Sequence, residues 1–285
     1  MNISEVPCKS ILTRSSGYLT TVCSHSINPY MGCGLGRSLC GVGCYVRSNG
    51  WVTRGREWGG FLEVKTNAAE VYGATCEGER RWAQRKNRPF SIFLSSSTEP
   101  WQPAEKKYRV TRRLLEAMCL HPPDELILQT HSCRILEDIE TISTLNGRTR
   151  LRVHMSIETD CENLQGLPRH AFSVSERIGA VNTLAGAGIC VVVCLAPLLP
   201  LRDPQQFFSD IKNAGARAVV VDHFMEGDGT PTGARTLKTE LPAKMAAILP
   251  ESTGLAYRNS IADIARQFLP TGISNSGFAG HYRTG

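Results

Sequence analysis

The chain has 285 residues, of which 41% are hydrophobic and 20% are charged, and its formal net charge is +6 at pH 7. This balance is typical of a globular protein with a substantial core and excludes a disordered chain. The mild positive charge permits contact with nucleic acid or another anion but does not indicate either one.

Eleven cysteines, an odd number, are spread along the chain. The N-terminal stretch 1–17 is mixed and polar, without the apolar segment of a signal peptide. The longest apolar run, 189–201, contains two prolines and is too short to cross a bilayer. We therefore expect a cytoplasmic protein without a membrane segment, whose clustered cysteines serve metal binding or catalysis rather than disulfides.

The predicted elements alternate regularly after a loop-rich region that covers residues 1–60. Short apolar runs predict strands, and intervening stretches with helical spacing of apolar residues predict helices. The predicted strands are 91–96, 125–131, 150–158, 190–200 and 217–224. The predicted helices are 104–119, 135–145, 174–188, 204–215, 236–248 and 258–268, with Gly188 as a C-terminal cap.

Nearly continuous apolar strands separated by helices indicate a parallel sheet that is covered on both faces. About six strand–helix units can be counted if one early strand precedes the cysteine-rich loop. Since a complete barrel of this type needs eight units, the pattern predicts an α/β domain, either an open sheet or a partial barrel.

Three cysteines, Cys33, Cys40 and Cys44, lie in a glycine-rich loop with the spacing Cys-x6-Cys-x3-Cys. Thiolates bind zinc or iron–sulfur clusters. A [4Fe–4S] cluster needs four ligands, so a protein that supplies three leaves one iron open for chemistry. Glycines suit a loop that must wrap closely around such a group.

Two other interpretations of this loop stay open. A structural zinc site usually takes four protein ligands, and Cys8, Cys23 or His25 could supply the fourth. Alternatively, the three cysteines lie together without binding any metal.

Several stretches, in order, resemble the radical S-adenosylmethionine enzymes, and most of all their spore photoproduct lyase-like branch. They are INPYMGC at 27–33 with the pair CY at 44–45, then 95–116, 128–145, SIETD at 156–160 and 169–203. The resemblance implies a partial (β/α)6 barrel of the TIM type over residues 27–224. Residues 1–26 would then be an N-terminal extension and residues 225–285 a C-terminal helical extension of this single domain.

The resemblance also implies a [4Fe–4S] cluster held by the three cysteines and S-adenosylmethionine bound to the fourth iron. An electron from a reductant such as flavodoxin or ferredoxin would cleave the sulfonium. The resulting 5′-deoxyadenosyl radical would abstract hydrogen from an organic substrate, in a lyase- or transferase-type reaction.

Contacts to S-adenosylmethionine are implied for the strand ends and for the residue after the third cysteine. Tyr45 would pack against the adenine, and the backbone at Ala196 and Pro197 would pass close to it. The amine of the methionine moiety would be bound by Ser96, Ser97, Thr98 and Glu99, and its carboxylate by His131. Ser156 and Glu158 would contact the ribose and the carboxylate, and Arg177 would lie near the cofactor. Each assignment has a purely structural alternative. Residues 96–99 would cap helix 104–119, His131 would be a structural histidine, Tyr45 would pack within its loop, and Arg177 would lie on a solvated helix face.

The chain departs from that family in two ways. The usual cluster spacing is Cys-x3-Cys-x2-Cys, and both gaps are longer here. Residues 95–97 are serines where spore photoproduct lyase has its hydrogen-donor cysteine, and a serine O–H bond is too strong for that role. We therefore do not expect repair of spore photoproduct by that mechanism. A nucleic-acid lesion or nucleobase, a peptide and a small metabolite all stay open as substrates.

A basic and aromatic stretch follows the cysteines, with Arg47, Arg54 and Arg56 beside Trp51 and Trp58. Such side chains can pair with phosphates and stack on bases, although one short stretch is weak support. This leaves two further hypotheses: a zinc-stabilised nucleic-acid-binding protein without catalysis, and a degenerate enzyme that has lost its cluster.

One more polar group, Asp222, His223 and Glu226, follows the last predicted strand. Ligand sites gather at this end of barrel strands, so these side chains are candidates to line the substrate pocket. The sequence assigns no role to any of them.

Overall fold

The computed structural model describes residues 1–285. Its strands are β1 (Asn2–Val6), β2 (Leu12–Arg14), β3 (His25–Ile27), β4 (Tyr30–Gly32), β5 (Phe61–Lys65), β6 (Ser91–Leu94), β7 (Glu125–Thr130), β8 (Arg150–Ser156), β9 (Val191–Leu195), β10 (Ala218–Val221) and β11 (Thr271–Ile273).

Its helices fall between these strands. They are α1 (Leu39–Val42), α2 (Gly50–Thr53), α3 (Ala68–Arg85), α4 (Glu105–Tyr108), α5 (Val110–Leu120), α6 (Ile139–Asn146), α7 (Val174–Gly186), α8 (Pro204–Asn213), α9 (Phe224–Gly227), α10 (Leu241–Ile248), α11 (Leu255–Arg266) and α12 (Ser274–Phe278). Short 3-10 helices cover Gly17–Thr21, Tyr45–Ser48, Cys133–Asp138, Thr236–Lys238 and Pro250–Thr253. None of the helices combines the length and the apolar character needed to cross a bilayer.

Eight strands form one sheet in the order β11-β10-β9-β8-β7-β6-β3-β2. All neighbouring pairs from β3 to β11 are parallel, and only β2 runs antiparallel to its neighbour. The strand order follows the chain order, as in a barrel wall. The predicted partial barrel is therefore confirmed, with β3 and β6 to β10 as its six strands and β2 and β11 added at the edges.

The two faces of the barrel wall have separate cores. Alternate residues of the strands pack outward against the helices in a cluster of 50 buried side chains. The intervening residues point inward and form a smaller cluster that includes Phe93, Ile127, Val192 and Val220. This two-sided burial explains why most of the strands are nearly continuous apolar runs.

Two predicted helices follow their capping signals closely. Helix α7 begins after Ser173, whose hydroxyl accepts from the Glu176 N–H while the Glu176 carboxylate accepts from the Ser173 N–H. Helix α8 begins at Pro204, and the Asp203 side chain caps its first turn. Gly188, with φ +77°, ends the first of these helices as predicted.

The N-terminal region contains more strands than the sequence predicted. Residues 1–60 were expected to be loop-rich, with one early strand before the cysteine-rich loop, but they contain β1 to β4, and β1, β5 and β4 form a second sheet of three strands. Helix α3, with 18 residues the longest of the helices, was also missed. Its buried face consists of only a few side chains, Ala68, Tyr72, Cys76 and Ala83, among many charged ones. The C-terminal segment, expected to be helical, contributes β11 as well.

The predicted helix 104–119 is broken in two at Arg109, which has left-handed backbone angles. The buried Glu105 carboxylate explains the restart, because its Oε1 accepts from the backbone N–H of Arg112 at 3.0 Å in the first turn of α5. The same carboxylate also accepts from the Tyr30 hydroxyl in β4. Glu105 thus ties the small sheet to the helix that follows β6.

Replacing Glu105 with Ala should lower the free energy of unfolding by about 2 kcal/mol, because it leaves the buried Tyr30 hydroxyl and a helix N–H without partners. Urea denaturation would measure this loss. Glu116→Ala is the matched control, since Glu116 also contacts Arg112 but from an exposed position. The control should change stability by less than about 0.5 kcal/mol. Equal effects of the two substitutions would contradict the role given to Glu105.

Candidate functional site

A cavity of about 520 Å³ lies at the carboxyl ends of the barrel strands. Strands β6 to β10 contribute to it, either directly or through the loop that follows the strand, and the loop after β4 contributes the three cysteines. Its polar and sulfur-bearing lining includes Cys33, Cys40, Cys44, Tyr45, Ser95, Ser96, Ser97, Thr98, Glu99, Gln129, His131, Ser156, Asp222, His223, Asp228 and Arg235.

The cysteine-rich loop forms one wall of this cavity. Cys33 directly follows β4, Cys40 lies in α1, and Cys44 precedes the 3-10 helix Tyr45–Ser48. The loop packs against itself so tightly that a Cβ atom on Gly41 would lie 2.2 Å from the carbonyl oxygen of Gly36. Glycine is therefore required by close backbone contact, and this contact brings the three cysteines to the same cavity.

The three thiols lie at the wall of this cavity, where Cys33 is buried and Cys40 and Cys44 are half-buried. Burial raises the pKa of Cys33 and of Cys40 to about 12 and that of Cys44 to about 11.

The serine-rich segment after β6 is fixed by the loop that leads to the first cysteine. The Asn28 side chain donates to Ser96 Oγ at 3.2 Å and accepts from the Ser97 N–H at 2.9 Å. Thr98 Oγ1 donates to the carbonyl of Gly32 at 2.6 Å. None of these residues caps the following helix, whose N-cap is Ala104. The capping interpretation of this segment was therefore wrong.

Glu99 is held more rigidly than its neighbours. Its carboxylate accepts from the Thr130 hydroxyl at 2.5 Å and from the N–H groups of Trp101 and His131 at 3.0 and 2.8 Å. Only 3% of the residue is exposed. Glu99 therefore joins the loops after β6 and β7, and part of its capacity to accept hydrogen bonds is already used within the protein.

A buried chain of charged groups lies behind the cavity. Arg177 Nη1 donates to Glu158 Oε2 at 2.8 Å, and the other carboxylate oxygen lies 2.9 Å from His131 Nε2. Arg177 also contacts His170 Nδ1 at 2.9 Å and donates to the carbonyl of Ser156. Burial opposes ionisation of Glu158, but Arg177 and His131 hold its pKa below its ordinary value.

Arg177 is 2% exposed, so the interpretation as a solvated arginine was wrong. Burial likewise opposes a charge on His131, but Cys40 and Glu158 raise its pKa well above the usual histidine value. The predicted residues thus divide into two groups. Glu158 and Arg177 line a small adjoining cavity with Cys40 and His131, and the other predicted contacts line the large one.

Sequence reasoning missed the N-terminal contribution to the cavity. Ser16 to Leu19, expected to lie in an extension outside the barrel, form part of the lining. Tyr18 donates a hydrogen bond to Asp222 Oδ2 at 3.2 Å, although the two residues are 204 positions apart. Its ring packs edge-on against Phe278 of α12. Tyr18 therefore contacts the opposite side of the barrel opening, which no local sequence signal could have revealed.

Asp222 is a buried carboxylate without a cationic hydrogen-bonding partner. Its Oδ1 accepts from the backbone N–H of His223 at 3.1 Å, and its Oδ2 accepts from Tyr18. Burial raises its pKa to about 6, against the opposing effect of the Ser274 and Tyr18 hydroxyls. The ionised form of the Asp222 carboxylate therefore lowers the stability of the folded state.

The basic and aromatic stretch does not form one surface. Trp58 is buried, Arg56 stacks on Phe61 and pairs with Glu63, and only Trp51 is fully open, at 90% exposed. Only some residues of this stretch, such as Trp51, are therefore exposed for the nucleic-acid contact that was predicted for the whole stretch.

Comparisons with solved structures show the same fold in radical S-adenosylmethionine enzymes. A tyrosine-to-phenylalanine variant of spore photoproduct lyase superimposes with a TM-score of 0.66 at 14% identity, covering 95% of this chain and 81% of that one. A cysteine-to-alanine variant of the same lyase, solved with dinucleoside spore photoproduct, gives a TM-score of 0.59 at 15% identity, over 84% and 67% of the two chains.

A radical S-adenosylmethionine methyltransferase from Sphaerobacter thermophilus gives a TM-score of 0.51 at 14% identity, covering 87% of this chain and 65% of that one. Among curated proteins, an uncharacterised protein of Methanocaldococcus jannaschii is 26% identical over 189 residues. This match covers 65% of each chain. No protein-family model matches the sequence. The expected fold resemblance to the spore photoproduct lyase-like enzymes is confirmed.

Asp222 should make the protein less stable as the pH rises, because its folded-state pKa of about 6 exceeds the value of about 3.9 expected when unfolded. The folded state then binds more protons than the unfolded state over this interval. We expect Asp222→Asn to gain about 2 kcal/mol of stability relative to the unmodified chain between about pH 4.5 and pH 7.5.

Denaturant unfolding at several pH values would measure this difference. Tyr18→Phe, which removes an opposing hydroxyl but keeps the ring, should make the pH-dependent loss larger. A difference between Asp222→Asn and the unmodified chain that stays constant with pH would contradict the assignment.

Proposed function

We propose that the protein is a radical S-adenosylmethionine enzyme that acts on an organic substrate. The observation that supports this most is the joint placement of Cys33, Cys40 and Cys44 with the polar strand ends around one cavity. The fold shared with spore photoproduct lyase and a radical S-adenosylmethionine methyltransferase supports the same proposal.

The donor set fits a [4Fe–4S] cluster bound by three protein ligands. Three thiols line the cavity, and the cavity extends from them over the barrel. Binding to iron would deprotonate the thiols despite their raised pKa values, since metal ligation stabilises the thiolate. With S-adenosylmethionine bound, such a cluster supplies one-electron reductive cleavage of the sulfonium and hydrogen abstraction from a substrate.

The chain's own residues would bind and orient S-adenosylmethionine. We assign its polar methionine end to the hydroxyls of Ser96, Ser97 and Thr98 and to His131, beside the cysteines. The Tyr45 ring and the backbone at Ala196 and Pro197 would contact the adenine. The Tyr45 hydroxyl donates to the carbonyl of Ser96, so its ring is already fixed in place.

The buried network behind the cavity gives Glu158 a positioning role in this proposal. Both of its oxygens already contact side chains of the protein, His131 and Arg177. Ser156 Oγ in turn accepts from the Gln129 side chain at 2.7 Å. These contacts fix the ends of β7 and β8, and they would keep His131 and Ser156 aimed at the cofactor.

The substrate would occupy the part of the cavity near Tyr18, Asp222 and Arg235. One of the similar structures holds dinucleoside spore photoproduct, which makes a nucleobase-containing substrate one option. The serines at 95–97 still argue against the thiol-dependent repair chemistry of that enzyme. A reductant of the flavodoxin or ferredoxin type would supply the electron.

A zinc-stabilised nucleic-acid-binding protein is less well supported. The large outer core of 50 buried side chains stabilises the barrel without a metal. The buried Trp58 and the paired Arg56 also remove two of the expected nucleic-acid contacts.

Anaerobic reconstitution with iron and sulfide should give a brown protein that absorbs near about 400 nm. After reduction with dithionite and addition of S-adenosylmethionine, it should release 5′-deoxyadenosine, measured by mass spectrometry. Substituting Cys33, Cys40 or Cys44 singly with Ala should remove at least 90% of this product, because each supplies one of three protein ligands (about a tenfold loss or more, equal to about 1.4 kcal/mol).

Cys119→Ala is the matched control, since Cys119 is a half-buried thiol on α5 that does not line the cavity. It should keep full iron content and full 5′-deoxyadenosine yield. A colourless protein that folds but binds no iron would contradict the proposal, as would equal yields from the control and the three loop variants.

Gly41→Ala should lower the iron content without unfolding the barrel. The added methyl group would meet the Gly36 carbonyl at 2.2 Å, so the loop must shift while the strands remain unchanged. We expect iron per chain to fall by about half or more, with a near-normal far-ultraviolet circular dichroism spectrum. Gly73→Ala, at a position with no atom within 4 Å of the new Cβ, is the control and should retain its iron.

A further inference from the structure

Three side chains that can ligate a metal lie together on the outer layer of the barrel, apart from the cavity. Cys76 and Glu77 are neighbours in α3, and His121 follows the C-terminal end of α5. One ligand atom from each lies within 4.8 Å of the other two. None of the three lines the large cavity or its small neighbour.

The backbone around this group is fixed on both sides. Tyr72 Oη donates to the His121 carbonyl at 2.6 Å, and Arg80 Nη2 donates to the carbonyl of Pro122. Tyr72, Cys76 and Arg80 are spaced four residues apart, so they share one face of α3. Tyr72 and Arg80 therefore hold the loop after α5 along the face of α3 on which Cys76 lies between them.

The donor set selects the kind of metal. A thiolate, an imidazole and a carboxylate together favour a borderline ion such as Zn²⁺ over Mg²⁺ or Ca²⁺, which prefer oxygen ligands. In zinc sites that keep an open position, three protein ligands bind the ion and water is the fourth ligand. Cys76 is only 1% exposed, whereas Glu77 is exposed and His121 is half-buried. The ion would therefore sit over the sulfur at the protein surface.

Few interactions within the protein compete for these atoms. The Cys76 thiol makes only a long contact of 3.5 Å to the Gly73 carbonyl. Glu77 lies 3.5 Å from Arg80, which is already paired at shorter distance with Asp124. Tetrahedral zinc needs nitrogen and sulfur ligands about 3.5 Å apart. Rotation of the Glu77 and His121 side chains would close the group to that separation.

We propose that Cys76, Glu77 and His121 bind one Zn²⁺ ion that links α3 to the loop between α5 and β7. The site is independent of the cofactor proposal, because it shares no ligand with the cysteine-rich loop. Binding to the folded state alone would stabilise the protein by mass action. It would also fix the outer layer next to β6 and β7, whose ends carry the serine-rich segment and His131.

The experiment measures zinc in the full chain after removal of metals with EDTA, titration with ZnCl₂ and gel filtration. The unmodified chain should retain one equivalent more than Cys76→Ser and than His121→Ala. Any zinc on Cys33, Cys40 and Cys44 is common to all samples and cancels in this difference. Cys119→Ser is the matched control, a thiol two positions before His121 that contacts only the Thr141 carbonyl. It should retain as much zinc as the unmodified chain.

Two further readouts keep the test decisive if the buried Cys76→Ser variant folds poorly. Glu77→Gln changes only an exposed side chain and should weaken zinc binding by about tenfold or more. Titration with Co²⁺ should give thiolate-to-cobalt charge-transfer absorption. In His121→Ala this absorption should be lower than in Cys119→Ser by the amount that one bound Co²⁺ contributes. Equal zinc content in the unmodified chain, His121→Ala and Glu77→Gln would overturn the proposal. This result would leave the release of 5′-deoxyadenosine untouched, so the two proposals fail separately.

Discussion

Parallel pairing of consecutive strands is the constraint on which the rest of this structure depends. Because β3 and β6 to β10 all run in the same direction, their carboxyl ends meet at one rim of the barrel. Residues that are distant in sequence, such as Cys33, Ser96, His131 and Asp222, then face one cavity. Beneath them lies a mostly apolar inner layer, in which the buried His154 packs against Phe93 and Phe278.

A partial barrel leaves an opening between its first and last strands, and this chain spans it with side chains. Tyr18 precedes the first parallel strand, yet it contacts Asp222 after β10 and Phe278 in α12. Burial makes the Asp222 carboxylate costly to ionise, and the Tyr18 hydroxyl offsets part of this cost. The contact that spans the barrel opening therefore also affects the electrostatics of the cavity.

The cavity is supported by two kinds of contact of different strength. On one side, the cysteine-rich loop depends on backbone packing, with Gly41 pressed against Gly36. On the other side, Glu158 and Arg177 form a buried ion pair, which tolerates the loss of neither partner because a lone charge would remain in the interior. Separate contacts therefore fix the cysteine-rich loop and the strand ends.

The α/β class and most of the strands and helices after residue 90 could be predicted from the sequence alone. Those features are local, because they depend on hydrophobic periodicity and on capping residues such as Ser173. The clustering of three cysteines in one loop is local as well, whereas their meeting with the polar strand ends was implied only by the family resemblance. The break of the predicted helix at Arg109 could not be predicted from local sequence, because the Glu105 carboxylate that accompanies it also accepts from Tyr30 in β4.

Which residues meet across the chain became visible only in the folded structure. It brought Tyr18 to Asp222, buried Arg177 against Glu158 and placed His121 beside Cys76. Helix α3 was also found only in the structure. Its apolar face is too narrow for the sequence periodicity to predict a helix, and the sheet and α5 cover this face in the folded chain. The physical reason is that such contacts are chosen by global packing, in which burial and pairing depend on partners that are far away in sequence.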